Sequence, residues 1–184
     1  MKQLVALLAI TLLSVTAMAE SKPVNFSLTP DVALFSREFL IKGLTLSFWG
    51  ENEQQSLALG IVNGTPGDSA GAAGAIMVNY ADYYTGVRGA GVNYSAQDTL
   101  GWDGALVNYT ERLFTGLLSG IVNVAGQLRG VELGIFNYVD EADQGFQAGL
   151  INVIANNETW FSNFPDELAP VMPFVNWHFH ESAR

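Results

Sequence analysis

From Asn63 to Asn152, apolar and polar positions recur in one phrase. A small residue and two apolar residues precede an asparagine, and a tyrosine or apolar residue usually follows it. The asparagines are Asn63, Asn79, Asn93, Asn108, Asn123, Asn137 and Asn152, separated by 16, 14, 15, 15, 14 and 15 residues. A period this short marks an array whose units bury apolar surface only by stacking on their neighbours. Within residues 130–138, Val131, Leu133, Ile135 and Asn137 share one parity, and Gly130, Glu132, Gly134, Phe136 and Tyr138 the other. Alternation rich in β-branched and aromatic residues predicts a strand. A helix would lose ~1 kcal/mol at each glycine. Short polar segments at residues 95–99 and 140–144 predict turns.

Two columns of small residues accompany the asparagines. Seven places earlier stand Gly86, Gly101, Gly116, Gly130 and Gly145, with Ser56 and Ala72 in the first two units. Three places earlier stand Gly60, Ala90, Ala105, Gly120, Gly134 and Gly149, with Ala75 one place further back in the second unit. Two all-β architectures fit. In a two-sided β-solenoid each unit is one coil, equivalent residues stack at ~4.8 Å, and the asparagines form a ladder. In an antiparallel up-and-down β-barrel, nine tilted residues cover ~21 Å, near the height of a membrane barrel's apolar band. The rows Leu117, Ser119, Ile121 and Phe146, Ala148, Leu150 would then face lipid. The even spacing and the identical phrase in every unit favour the solenoid, because a meander would send alternate asparagines to opposite ends.

The ends divide the chain. Lys2, an apolar run over residues 4–15 and Ala17-Met18-Ala19 predict an export signal over residues 1–19, cut before Glu20. Residues 20–55 form N-terminal strands or a cap, residues 56–153 the array, and residues 154–184 a C-terminal cap. In that cap, residues 173–179 look like a degenerate further unit. Lys2 is the only charge before Glu20, so the remainder carries 7 basic and 18 acidic residues, a net −11. Such a balance disfavours nucleic acid and anionic lipid. There is no cysteine, so neither a disulfide nor a thiol nucleophile is available.

The phrases Gly104-Ala105-Leu106-Val107-Asn108-Tyr109, Gly134-Ile135-Phe136-Asn137-Tyr138 and Gly149-Leu150-Ile151-Asn152-Val153 end in Pro173-Phe174-Val175-Asn176-Trp177. Over about residues 40–180 the chain thereby resembles the surface-repeat proteins of Gram-negative bacteria. Their units read roughly G-L-Q-L-G-L-V-N-Y, and they end in a P-F-x-N-W-like segment. Here alanine replaces the second glycine at Ala90 and Ala105. The resemblance implies a cell-envelope or surface location and brings no catalytic residues.

Chemistry is sparse. His178 and His180 share a strand parity and could meet at a metal, but no third ligand completes a recognised spacing. Asp140, Glu141 and Asp143 read as a solvated acidic turn. The expectation is therefore an exported envelope or surface protein with a structural or binding role, no catalysis and no cofactor. Its partner would be an unidentified protein or extracellular ligand, with outer-membrane association as the alternative under the barrel. The expected exposed row lies five residues before each asparagine and includes Ala58, Arg88, Asp103, Leu118, Glu132 and Gln147.

Overall fold

The computed structural model describes residues 20–179, so the predicted export signal and His180 lie outside the described residues. Within that range the chain is all-β. The strands are β1 (Ser21–Thr29), β2 (Val32–Ala33), β3 (Leu40–Glu51), β4 (Gln55–Ser95), β5 (Thr99–Leu133), β6 (Phe136–Ile154) and β7 (Val171–His178). They form one sheet in the order β2-β1-β3-β4-β5-β6-β7. At 41 and 35 residues, β4 and β5 are each too long for one straight strand and wind through more than one coil. The result is a β-solenoid of about nine turns.

Pairing between coils is parallel and keeps the sequence phrase in register. Gly86 pairs with Gly101, Asn93 with Asn108 and Tyr94 with Tyr109; Asn123 pairs with Asn137 and Gly130 with Gly145. This parallel register replaces the antiparallel barrel. Stacking begins earlier than the asparagine phrase, since β1 already pairs in parallel with β3, and β3 with β4. At the other end β7 lies antiparallel on β6. Residues 173–178 are therefore not another coil but a reversed strand laid across the last one.

The glycine column has a steric cause. Gly86, Gly101, Gly116 and Gly130 adopt positive φ at a coil corner. A Cβ on Gly101 would come within 1.9 Å of the Gly86 carbonyl oxygen, and one on Gly116 within 2.0 Å of that of Gly101. Only glycine allows successive corners to stack this closely.

Each coil sends about four side chains inward. In one coil these are Asp103, Asn108, Thr110 and Phe114; in the next, Leu118, Asn123, Ala125 and Leu128. Large and small residues alternate across the interior. Tyr84 faces a coil that has Ala73, Phe114 accompanies Asp103, and Glu132 accompanies Ala142. Two apolar clusters result, one around Tyr84 and the other around Phe114, Leu118 and Leu128. A polar layer of Arg88, Ser95, Thr99, Asp103 and Thr110 separates them.

In this cysteine-free chain, Tyr94→Cys with Tyr109→Cys should form a disulfide in high yield under mild oxidation. In-register parallel neighbours lie ~5 Å apart, within disulfide reach. Non-reducing mass mapping reads the result, and a persistently reduced pair would contradict this register.

Candidate interaction face and the interior beneath it

The seven asparagines form one buried column. Each Nδ2 donates to the next Oδ1, at 3.1 Å for Asn63–Asn79 and 3.0 Å for both Asn79–Asn93 and Asn93–Asn108. Asn108–Asn123 is 2.9 Å, and Asn123–Asn137 and Asn137–Asn152 are both 2.8 Å. The second N–H of most of them reaches a backbone carbonyl of the following coil: Gly74, Gly89, Ser119, Leu133 and Ala148. These carbonyls stand four residues before the next asparagine, or five in the case of Gly74. An amide suits this place because one side chain supplies an acceptor and two donors. The small residue three places before each asparagine, or four before Asn79, leaves room for that amide. A Cβ on Gly149 would lie 2.7 Å from Asn137 Nδ2. Ser47 Oγ donates to Asn63 Oδ1 at one end, and Asn152 donates to the Met172 carbonyl of β7 at the other.

The row expected to be exposed is buried. Arg88, Asp103, Glu132 and Gln147, together with Ala58 and Leu118, have at most 2% of their surface accessible. Strict alternation would put Glu132 and Asn137 on opposite faces, being five residues apart. A bend at Gly134–Ile135 resets the alternation, so both point inward. Leu133 and Ile135, assigned with Asn137 to one face, are 42% and 51% exposed instead.

Inside, that row is polar and mostly satisfied. Arg88 bonds bidentately to Asp103, Nε to Oδ1 at 2.9 Å and Nη2 to Oδ2. It also donates to Ser95 Oγ at 2.6 Å and to the Tyr94 carbonyl at 3.2 Å, and its guanidinium lies 4.7 Å from the Tyr84 ring centre. A bidentate, further bonded pair offsets part of the desolvation cost of burying both charges. Two coils further on, Gln147 Nε2 donates to Glu132 Oε2 at 2.6 Å and to the Val153 carbonyl at 2.9 Å. Glu132 Oε1 and Gln147 Oε1 have no hydrogen-bond partner. Burial pushes the Glu132 carboxyl up to about 8, against the pull of the Gln147 hydrogen bond.

Outside, the coil is two-faced. Over the six residues before each asparagine, the charged side chains are Arg88, Asp103 and Glu132, and all three are buried. What this half of the coil presents outward is apolar or small. Phe48 is 63% exposed, Ile76 76%, Leu106 59% and Leu150 60%, with Val87, Trp102 and Ile121 close to half exposed. The rows run across coils, since Val87 pairs with Trp102 and Val131 with Phe146. They extend to Phe26 and Leu46 at the first end and to Val175 and Trp177 of β7 at the last. An apolar hollow of 740 Å³ lies at the first end, against Phe26, Leu28, Phe48, Leu59 and Ile76.

Past the bend the character changes. Tyr80, Tyr94, Tyr109 and Tyr138 follow their asparagines, and the Tyr94 and Tyr109 rings stack at 5.8 Å with 10° between their planes. Asp82, Glu111 and Asp140 come two residues later, and the strands beyond them carry Arg112, Arg129, Glu141 and Asp143. Residues 140–144, expected as a turn, lie instead within β6 and pair with β5, and their acidic members go to separate partners. Tyr138 donates to Asp140, Gln127 to Glu141, and Arg129 pairs with Asp143.

A second concavity, a cleft of 630 Å³, lies under the C-terminal cap between the loop before β7 and the last coils. Its Glu167 accepts from the Glu158 N–H and from Asn163 Nδ2, and faces His178 Nδ1 at 3.3 Å. His178 Nδ1 is 2.7 Å from Asn157 Oδ1. These bonds tie the loop to β7. Among the described residues no cluster of three or more metal-binding side chains occurs. The apolar rows include the residues that would face lipid in a barrel, and the bend turns inward the row that strict alternation places outside.

Comparison with family models, with curated proteins and with solved structures gives no match.

Asn108→Leu, in mid-column, should lower unfolding stability by ~1–3 kcal/mol, because its neighbours and the Ser119 carbonyl lose partners. Urea denaturation measures it, and an unchanged midpoint would mean solvated asparagines. For Glu132, the native state keeps a proton between its ordinary 4.5 and about 8 that the unfolded chain releases. Stability should therefore fall as pH rises through this window, by up to ~1.4 kcal/mol per pH unit. Glu132→Gln should flatten that dependence, and an equally steep profile in the variant would assign it to other groups.

Proposed function

We propose that this chain is an exported cell-envelope or surface repeat protein that acts by binding, with its apolar half-coil as the contact surface. The observation that carries this reading is a face without one outward charge, continuous across the coils, on a chain of net charge −10. Monomeric proteins rarely leave an apolar patch larger than about 300–600 Å² open to water. Nine coils at ~4.8 Å and six residues at ~3.3 Å make this face roughly 850 Å². The asparagine column, the Arg88–Asp103 pair and one oxygen of Glu132 are engaged within the stack, which supports a scaffold role over a catalytic one. The resemblance to Gram-negative surface-repeat proteins and the Ala17-Met18-Ala19 motif support the envelope location.

The test is site-specific photo-cross-linking in the native host. A cross-linking side chain at Leu106 should give adducts in the envelope fraction, and the same group at Gln127, on the polar half, should give few. The recovered protein should begin at Glu20. Equal adducts at both sites, or an uncut product in the cytoplasm, would contradict the proposal.

A further inference from the structure

The apolar face raises the question of what covers it. We infer that it is covered by the same face of a second copy of this chain, in a face-to-face dimer of solenoids. This inference rests on the reading of the face as a contact surface and adds the identity of the partner.

Three observations favour a second copy over a lipid surface. The first is area. A stable protein interface takes about 800 Å² from each partner, and the face offers roughly that. The second is composition. Homodimer interfaces are the most apolar class and exclude charge from their centres. Here the centre is Trp102, Leu106, Leu117, Ile121 and Leu133, while Arg88, Asp103 and Glu132 from the same strands are turned inward. The third is the border. Segments that lie on membranes surround their apolar side with lysine and arginine, which meet lipid phosphates. Here the residues beyond the tyrosine row include Asp82, Glu111 and Asp140, and Glu51, in register with Gly64, stands at the tyrosine position of an earlier coil. An acidic border repels lipid phosphate. Between two protein faces it stays at the solvated rim.

The geometry also suits self-association. Rows of the sheet are ~4.8 Å apart in both copies, and two such faces can pack like the sheets of a sandwich, ~10 Å apart. A two-fold axis along the solenoid would set each coil against its counterpart. The acidic row of one copy would then face the opposite rim of the other, where Thr85, Leu100, Thr115 and Arg129 stand.

The experiment uses residues 20–184 without detergent. Sedimentation velocity at micromolar concentration should show twice the monomer mass. Leu106→Glu with Ile121→Glu should sediment as a monomer and keep its β-type circular dichroism, because both side chains point outward. A single Leu106→Cys in this cysteine-free chain supplies a test that does not depend on the charged variant folding. A short bismaleimide should join two copies through it, but not through Gln127→Cys.

A wild-type monomer throughout the micromolar range would overturn the dimer, as would a dimer that the two glutamates leave intact. Such a monomer floating with vesicles of zwitterionic lipid would identify the partner as membrane. In that case the contact-surface reading would survive. A monomer that ignores vesicles and gives no Leu106 adducts in the envelope would remove both.

Discussion

Most coils turn a backbone carbonyl toward the asparagine of the preceding coil, and a side-chain amide must reach it. That constraint organises the molecule. Asparagine answers it by donating one N–H to the carbonyl and the other to the next asparagine, as Asn108 does to Ser119 and Asn123. A buried carbonyl left alone costs about 1–3 kcal/mol, which favours repeating the arrangement from coil to coil. The small residue three places earlier and the glycine corner seven places earlier follow from the same need. They let the coils approach closely enough for side-chain amides to reach one another.

Once the asparagine column claims one inward position, the remaining positions carry the burden of filling the core. They do so by exchange between columns and not by uniform hydrophobicity. Arg88 lies against the Tyr84 ring and bonds Ser95, which also accepts from Thr99, while Asp103 and Phe114 are buried in the same coil. The polar layer that Arg88 and Asp103 form divides the apolar core into two clusters. With the charges turned inward at Arg88, Asp103 and Glu132, the same strands leave an uncharged outer surface. The polar interior and the apolar face are thus two consequences of one turn in the chain.

The period, the small columns and the asparagine column were legible because each obeys a rule that acts within one unit. The choice of solenoid over barrel was legible because the identical phrase has a reason only when equivalent residues stack. The inward row was not. Alternation places Glu132 opposite Asn137, and nothing local to residues 130–138 announces that the bend at Gly134–Ile135 resets the count. The direction of β7 was also hidden. Asn176 resembles another repeat asparagine, but in the reversed strand it bonds the Ala169 carbonyl instead of extending the column. At the first end, β1 and β3 stack as coils without the phrase, with Asn25 bonded to Asn52 in place of the regular ladder.

The most direct test of the central claim is side-chain hydrogen exchange of the asparagine amides, followed by NMR. If the ladder holds the coils, the NH₂ protons of Asn79, Asn93, Asn108, Asn123 and Asn137 should exchange slowly. Their protection should approach that of the core backbone amides, because release would require the stack to open. Exchange as fast as that of the solvent-exposed Gln127 amide would show that the asparagines meet water, and would contradict the account.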